Sequence, residues 1–336
     1  ALCIVGSDDK VYREQIETGA TLLRMAPSHV RFGTFEICYY RKQHELLTVL
    51  ADYVIDNHFT HLANVTDKYA RLFAEIVERT AKLIAGWQAV GWAHGVMNTD
   101  NMSVLGLTLD YGPFGFMDDY DAGFICNHSD HNGRYAFNQQ PYIGLWNLSC
   151  LAQALLPLAS KEALKAGLDA YTPIFEREYR ARMRAKLGLT HESGEDDELI
   201  RDFMSLLQGS HADFTIVFRE LGTFASGPGM KNDHLREHFL SPDRFDEWAL
   251  RYRNRLQREE SRDVERQQAM NRVNPKYVLR NYLAQAAIEQ AQQKEFAEID
   301  RLLTLLKHPY TEQPGMEGYA GPPPNWGKHL SVSCSS

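Results

Sequence analysis

The sequence is short of the features that mark secreted, membrane-bound and nucleic-acid-binding proteins. Its five cysteines are odd in number and widely spaced among 336 residues, which argues against a disulfide framework. No apolar run reaches about 18 residues, and the opening Ala1–Val5 is too short for a signal peptide. The net charge of −8 argues against a surface for nucleic acids or anionic membranes. We therefore predict a soluble, cytoplasmic protein whose partners include neither nucleic acid nor membrane.

The chain also lacks an initiator methionine and opens directly on an apolar, strand-like run. We therefore expect the protein to have further sequence upstream of residue 1. The 336 residues suffice for a large hydrophobic core, because 44% of them are apolar and 24% are charged. At this length we expect roughly two domains, or one domain with a large addition.

The predicted secondary structure changes from strands to helices near residue 40. Short apolar runs separated by Gly, Pro and Asp predict strands at Leu2–Val5, Thr21–Met25 and Val30–Phe35. Apolar residues at helical spacing then predict a long amphipathic helix that ends before Gly91. Its apolar positions are Tyr69, Leu72, Phe73, Ile76, Leu83, Ile84 and Trp87.

Residues 94–150 contain many Gly, Asp and Asn residues, which predicts a loop-rich stretch of the kind that often carries chemistry. Helical patterns dominate from there to about residue 307. One of these helices is predicted to start at Asn274-Pro275, because Asn suits the N-cap and Pro the first turn. The Gly and Pro residues after residue 310 predict an irregular tail. The sequence therefore indicates an α+β fold.

The segment from His94 to Asn101, followed by Asp110-Tyr111-Gly112, has the layout of a kinase catalytic loop and its metal-binding triplet. In kinases the last Asn of the loop and the Asp of the triplet hold divalent ions, because such hard cations prefer oxygen ligands. The corresponding residues here are Asn101 and Asp110.

One position departs from the kinase pattern. The aspartate expected two residues after the histidine, which accepts the proton of the substrate hydroxyl, is replaced by Val96. A carboxylate does stand beside the metal-binding Asn101, at Asp100, and could serve as a displaced general base.

With that departure, the block His94–Phe116 resembles the diagnostic block of the selenoprotein O family. Three other stretches, Arg24–Gly33, Asn274–Tyr282 and the terminal Ser333–Ser336, are similar to family motifs in the same order. The resemblance covers essentially the whole chain.

The resemblance implies a protein-kinase-like fold, present mostly as the helical C-lobe. Residues 1–40 would be a small β-rich remnant of the N-lobe with the hinge, and residues 41–160 the catalytic core of the C-lobe. Residues 161–310 would form a large helical elaboration, and residues 311–336 an irregular C-terminal tail.

The resemblance also implies a reaction in which ATP binds in a flipped orientation and AMP, rather than phosphate, passes to Ser, Thr or Tyr hydroxyls of protein substrates. Asp100 would be the proton acceptor, and Asn101 and Asp110 would bind Mg²⁺ or Mn²⁺. Arg24 and Arg31 would contact the nucleotide phosphates, a role that suits the planar, permanently charged guanidinium. From the residues alone, both arginines are more simply explained as exposed charges on a strand.

Several alternatives remain open at the level of sequence. The family's glycine-rich region and phosphate-binding lysine would lie upstream of residue 1, and no matching motif occurs within the chain. A nucleotide-binding pseudokinase without turnover is therefore a second hypothesis. Phosphoryl transfer is disfavoured by Val96. The nucleotide base is undetermined by the residues, so UMP transfer also remains open.

Two other groups of residues invite more than one interpretation. The Cys126–His131 segment could be read as a zinc site, but no second ligand cluster accompanies it, so we predict a polar loop placed like a kinase activation segment. Trp87, Trp92 and Trp146 could stack on an adenine, but tryptophans beside such a loop are more often part of the core.

Family members in some animals carry selenocysteine in the C-terminal tail, which implies a redox role for this region. Cys334 lies in the corresponding tail, and Cys126 is its expected disulfide partner because it follows the metal triplet. Cys150 falls in an apolar helical stretch and is expected to be buried. The alternative is that Cys334 is a free thiol, as is usual in a reducing compartment.

Overall fold

The computed structural model describes residues 3–12 and 16–333 and has an α+β architecture dominated by helices. The strands are β1 (Cys3–Tyr12), β2 (Ile16–Leu23), β3 (Trp92–Ala93) and β4 (Gly115–Phe116). The helices are α1 (Phe32–Tyr40), α2 (His44–His58), α3 (Lys68–Val90), α4 (Gln140–Leu155), α5 (Lys161–Asp169), α6 (Tyr171–Lys186), α7 (Asp196–Ser210), α8 (Phe214–Glu220), α9 (Asp233–Arg236), α10 (Pro242–Arg258), α11 (Asp263–Asn271), α12 (Asn281–Gln292) and α13 (Ala297–Leu306). None of the helices in the described ranges is both long and apolar enough to cross a lipid bilayer.

Strands β1 and β2 form an antiparallel hairpin in which Cys3 pairs with Leu23 and Tyr12 pairs with Ile16. This confirms the first two predicted strands with other bounds: β1 continues to Tyr12, and β2 starts earlier, at Ile16, and ends at Leu23 rather than Met25. The third predicted strand, at Val30–Phe35, is wrong. Arg31 has an extended backbone and bridges to Ser103, and α1 begins at the next residue.

The reason for this difference is tertiary packing. In a helix, Phe32 and Phe35 fall on the same face, three residues apart, and both rings are completely buried in the core that α1 shares with α4. A strand would have placed these two rings on opposite faces. The free energy gained by burying two phenylalanine rings is larger than the preference of the local sequence for a β-strand.

The long amphipathic helix predicted to end before Gly91 is confirmed as α3, which contributes many residues to the largest buried cluster. Its buried side chains recur at helical spacing from Leu72 to Trp87. It ends at Gly91, which has a φ of 68° and so provides the left-handed cap that glycine adopts without strain. The next two residues form β3, which pairs with β4 through Trp92 opposite Phe116. Helix α3 and the short strand β3 therefore lead directly into the loop that begins at His94.

The buried apolar residues form three clusters. The largest packs α1 to α5 together and includes Phe32, Phe73 and Leu148. A second cluster is built mainly from α6, α7, α8 and α10, with Phe203 and Trp248 among its members. A small third cluster joins α12 and α13. The proposed division of the chain into four segments stays a prediction.

The helix predicted to begin at Asn274-Pro275 begins instead at Asn281. Side-chain and backbone groups of this stretch are bound elsewhere: Asn274 Nδ2 donates to the carbonyl oxygen of Lys186, and the backbone N–H groups of Lys276 and Tyr277 donate to that of Pro309. These long-range hydrogen bonds hold the segment in a non-helical conformation. Residues 311–333 contain only short 3₁₀ turns, which agrees with the predicted irregular tail for the part that is described.

Lys186 is buried at the end of α6 with its ammonium 4.1 Å from the centroid of the Phe218 ring. Burial lowers the pKa of this lysine to about 7. Since its unfolded pKa is higher, the unfolded chain binds more protons above pH ~7, and stability is expected to rise with pH there. We expect the substitution Lys186→Met to raise the free energy of unfolding at neutral pH by about 1–3 kcal/mol.

Urea denaturation of both proteins across pH ~6.5 to 8.5 tests this prediction. The advantage of the Lys186→Met variant should shrink as pH rises, by roughly 1–2 kcal/mol over that range, because each pKa unit corresponds to about 1.4 kcal/mol. A difference between the two proteins that does not change with pH would contradict the prediction.

Candidate active site

His94 organises the predicted catalytic loop from within the core, where it is 1% exposed. Its Nε2 lies 2.9 Å from the carbonyl oxygen of Leu109, and its Nδ1 accepts the backbone N–H of Val96 at 3.3 Å. These contacts fit the neutral tautomer with the proton on Nε2, and burial lowers the pKa of the imidazole. His94 therefore ties the start of the loop to the residue that precedes Asp110.

Asp100 and Asn101 lie together on a short 3₁₀ turn, Thr99–Asn101. Asn101 donates its Nδ2 to the carbonyl oxygen of Val96 at 2.8 Å, which fixes the amide across the loop. Its Oδ1 makes no hydrogen bond within the described residues, so this oxygen can serve as a metal ligand. The side chain of Asp100 is exposed and lies over Gly33 of α1.

Asp110 has a φ of 58°, in the left-handed region that a non-glycine residue seldom adopts. Its carbonyl oxygen accepts the N–H of Gly112 at 2.8 Å, and that of Gly112 accepts the N–H of Phe114 at 2.9 Å. Asp110 follows Thr108, which forms an antiparallel bridge with Met102. The tight turns at Asp110 and Gly112 then lead the chain into β4. Non-glycine residues in this conformation are concentrated at functional sites.

Arg24 and Arg31 converge on the Asp110 carboxylate from segments that are distant in sequence. Arg24 Nη1 forms an ion pair with Oδ1, and Arg31 Nη2 lies 2.9 Å from Oδ2. The interpretation of these arginines as exposed strand charges is therefore wrong. Arg24 follows β2, and Arg31 caps α1. Their side chains meet the predicted metal ligand.

The Asp110 cluster retains unused hydrogen-bonding capacity. Arg31 Nε and Asp110 Oδ2 are buried and have no hydrogen-bond partner among the described residues, although Oδ2 is ion-paired with Arg31. Buried polar atoms are normally satisfied, so such exceptions call for an explanation. A phosphate oxygen would satisfy the arginine nitrogen and a cation would satisfy the carboxylate oxygen.

The described residues contain no group of three or more His, Cys, Asp or Glu side chains placed to hold a metal ion. The candidate protein ligands near the catalytic loop are the Asp110 carboxylate and Asn101 Oδ1. Such a sparse oxygen set suits Mg²⁺, which commonly binds one or two carboxylates and takes further ligands from water and substrate phosphates. The residues therefore fit a metal ion that is bound jointly by the protein and the phosphates of a nucleotide.

Two residues that support the loop were not identified from the sequence. Gln140 accepts the N–H of His94 at 2.9 Å and donates to the carbonyl oxygen of Trp92 at 3.0 Å, while Asn147 donates to that of Met97 at 2.9 Å. Both side chains are completely buried in α4. Two amides seven residues apart within an otherwise apolar helix stretch were the available signal, because buried amides need partners.

The aromatic residues near the loop divide between core and surface. Trp87 and Trp92 are buried, as expected, and Trp87 Nε1 donates to Thr108 Oγ1 at 3.0 Å. Trp146 is 41% exposed, so its assignment to the core is wrong. The Arg134 guanidinium lies over the Trp146 ring, 4.6 Å from its centroid.

Cys126 lies close to the catalytic loop and is buried. Its thiol contacts the carbonyl oxygen of Ala93 at 3.5 Å, and burial raises the pKa of the thiol to about 12. Cys150, which was expected to be buried, is partly exposed. Cys334 lies outside the described residues, so the predicted Cys126–Cys334 pairing stays a prediction. The described tail does reach this region, because His128 N–H donates to the carbonyl oxygen of Val332 at 2.8 Å.

Comparison with known proteins identifies the family of this chain. The sequence model of a family described as "Protein adenylyltransferase SelO" matches residues 1–307. The chain is 58% identical over 335 residues to a "Protein nucleotidyltransferase YdiU" of Myxococcus xanthus (strain DK1622). It is 54% identical over 342 residues to a protein of the same name from Thioalkalivibrio sulfidiphilus (strain HL-EbGR7). Each alignment covers 100% of this chain and 69% of the relative. The chain therefore belongs to the SelO family of protein nucleotidyltransferases.

Proposed function

We propose that this chain carries the nucleotide- and metal-binding C-lobe of a kinase-like protein adenylyltransferase. The reaction is the transfer of AMP from ATP, with Mg²⁺ or Mn²⁺, to Ser, Thr or Tyr hydroxyls of protein substrates. The observation that carries the proposal is the convergence of Arg24 and Arg31 on Asp110, beside the loop that bears Asp100 and Asn101. Residues 41–160 are the catalytic core in this proposal, and residues 161–310 are its helical elaboration.

The bound metal would neutralise phosphate charge and hold the triphosphate in place. Asp110 and Asn101 Oδ1 are the residues that would hold this metal. The Asp110 carboxylate has two oxygens with about four acceptor positions, so it can contact a cation while it remains paired with an arginine. Arg24 and Arg31 are then held within reach of phosphate oxygens, where their charge offsets the negative charge that develops during transfer.

The transfer step requires a group that accepts the proton of the acceptor hydroxyl. The hydroxyl oxygen attacks the α-phosphorus of ATP, the bond from that phosphorus to the oxygen shared with the β-phosphate breaks, and pyrophosphate leaves. In our proposal the hydroxyl proton passes to the Asp100 carboxylate, which is solvent-exposed and next to the metal-binding Asn101.

Phosphoryl transfer is the less favoured reaction because of what occupies the usual place of the base. Val96 has no proton-accepting side chain, and its backbone N–H is hydrogen-bonded to His94 Nδ1. Asp100 lies four residues further along the loop, so an acceptor that reaches it approaches from a different direction. The relatives' name, protein nucleotidyltransferase, supports the transfer of a nucleotidyl group and leaves UMP as an alternative to AMP.

Incubation with ATP labelled at either the α- or the γ-phosphate tests the proposal. We expect label from the α-position, and none from the γ-position, to become covalently attached to the chain or to added protein acceptors in the presence of Mg²⁺ or Mn²⁺. A parallel reaction with α-labelled UTP decides between AMP and UMP. Attachment of γ-label would indicate a kinase, and binding of ATP without attachment of either label would indicate a pseudokinase.

A further inference from the structure

Gly33, the second residue of α1, lies directly beneath the Asp100 side chain. A Cβ atom built on Gly33 would be 2.0 Å from Asp100 Oδ1 and 3.0 Å from its Cγ. The first distance is far below an ordinary van der Waals contact of about 3.5–4.0 Å, and the second is a tight approach. Gly33 lies within α1 and has no positive φ, so its backbone conformation does not require glycine. The glycine leaves room for a carboxylate.

Neither backbone can readily move to relieve such an overlap. The start of α1 is fixed to the loop by the Phe32 N–H, which donates to the carbonyl oxygen of Met102 at 3.0 Å, and by the completely buried Phe32 ring. The loop is fixed by the side-chain amides of Asn101 and Asn147, which donate to the carbonyl oxygens of Val96 and Met97. The part free to move is the exposed Asp100 side chain, which would have to leave its present rotamer.

We propose that Gly33 is a positioning residue of the transfer reaction, because its missing Cβ makes the space in which the Asp100 carboxylate lies. This inference rests on the proposed function, in which Asp100 accepts the hydroxyl proton. A general base must come within hydrogen-bonding reach of the proton that it accepts, so a displaced carboxylate loses its effect. The residue acts through Asp100 and touches no substrate itself.

The substitution Gly33→Ala tests this role with a change of one methyl group. We expect kcat for transfer of α-label to fall by about 10²-fold or more, which is the usual contribution of a positioned general base. The KM for ATP should stay unchanged, since Asp100 takes no part in nucleotide binding. The matched control is Gly209→Ala in α7, where an added Cβ meets no atom within 4 Å and activity should stay at the wild-type level.

A thermal double-mutant cycle tests the steric part without any activity measurement. In the wild-type background Gly33→Ala should lower Tm, or raise it less than in the Asp100→Ala background, because the new methyl group forces Asp100 out of its rotamer. In the Asp100→Ala background the same change should leave Tm unchanged or raise it, because alanine is the better helix former and the clashing carboxylate is gone.

Two outcomes would overturn the inference. One is a Gly33→Ala protein with wild-type kcat. The other is an equal Tm change in the wild-type and Asp100→Ala backgrounds, which would show that Gly33 does not act through Asp100. A wild-type chain that transfers no label would contradict the proposed function instead, and the thermal cycle would then decide the steric inference alone.

Discussion

Replacing Asp110 with Asn is expected to abolish the Mg²⁺ dependence of ATP binding, whereas Asp100→Ala is expected to leave ATP binding intact and remove transfer. Asp110 carries the carboxylate proposed to join the cation to the nucleotide, and it is the shared partner of Arg24 and Arg31. Asparagine is the better replacement because it tolerates the positive φ of this position, where alanine would add backbone strain.

Calorimetry of ATP binding with and without Mg²⁺ measures the first effect, and transfer of α-label measures the second. For Asp100→Ala we expect a loss of about 10²–10⁴-fold in kcat with little change in the affinity for ATP. If Asp100→Ala lost nucleotide binding while Asp110→Asn kept its dependence on Mg²⁺, the two roles would be reversed.

Removal of the Arg280 side chain is expected to destabilise the protein by about 3–5 kcal/mol, which is typical for breaking a buried ion pair from one side. Arg280 is 1% exposed, and its guanidinium pairs with Asp118 and lies 2.9 Å from Asp213. It joins Asp118, which follows the predicted metal-binding triplet, to α8, whose N-cap is Asp213. Burial raises the pKa of Asp118, which shows how poorly this site would tolerate an unpaired charge.

Urea denaturation of Arg280→Ala measures this loss, with Arg258→Ala as the matched control. Arg258 pairs with Glu195, but both side chains are largely exposed, so its removal should change stability by no more than about 1 kcal/mol. Since small proteins and domains are stable by only about 5–15 kcal/mol, the Arg280→Ala midpoint should fall visibly. Equal midpoints for the two variants would contradict the assigned role of Arg280.

Features encoded by local sequence were predicted correctly. The strands β1 and β2 could be predicted in part from their apolar runs, although residues 6–9, which predict a break in the strand, lie inside β1. Helix α3 could be predicted because its apolar residues recur at helical spacing over many turns. The strand predicted where α1 begins and the helix start predicted at Asn274-Pro275 are wrong because contacts with distant residues decide the conformation of both segments. Ser103 bridges to Arg31 just before α1, and Pro309 binds the residues before α12. Contacts with residues so distant in sequence cannot be predicted from a local sequence pattern.

In the candidate site, too, contiguous motifs could be predicted from the sequence, whereas contacts between distant residues could not. Asn101 and Asp110 could be proposed as candidate metal ligands because the predicted catalytic loop and its triplet are contiguous motifs with characteristic spacing, and Asp100 as a candidate base because it is next to Asn101. These roles stay predictions. The meeting of Arg24 with Asp110 joins positions 86 residues apart, and the sequence alone favoured an exposed arginine. Gly33 was part of a recognised motif, but its relation to Asp100 depends on a contact between the first turn of α1 and a loop.

The measurement that tests the central claim most directly is intact-protein mass spectrometry after incubation with ATP and Mg²⁺ or Mn²⁺. The account predicts that the chain, or an added protein acceptor, gains the mass of AMP on a Ser, Thr or Tyr side chain, and that Asp100→Ala and Asp110→Asn eliminate this gain. A mass increase equal to a phosphate group, or an AMP adduct that persists undiminished in both variants, would contradict it.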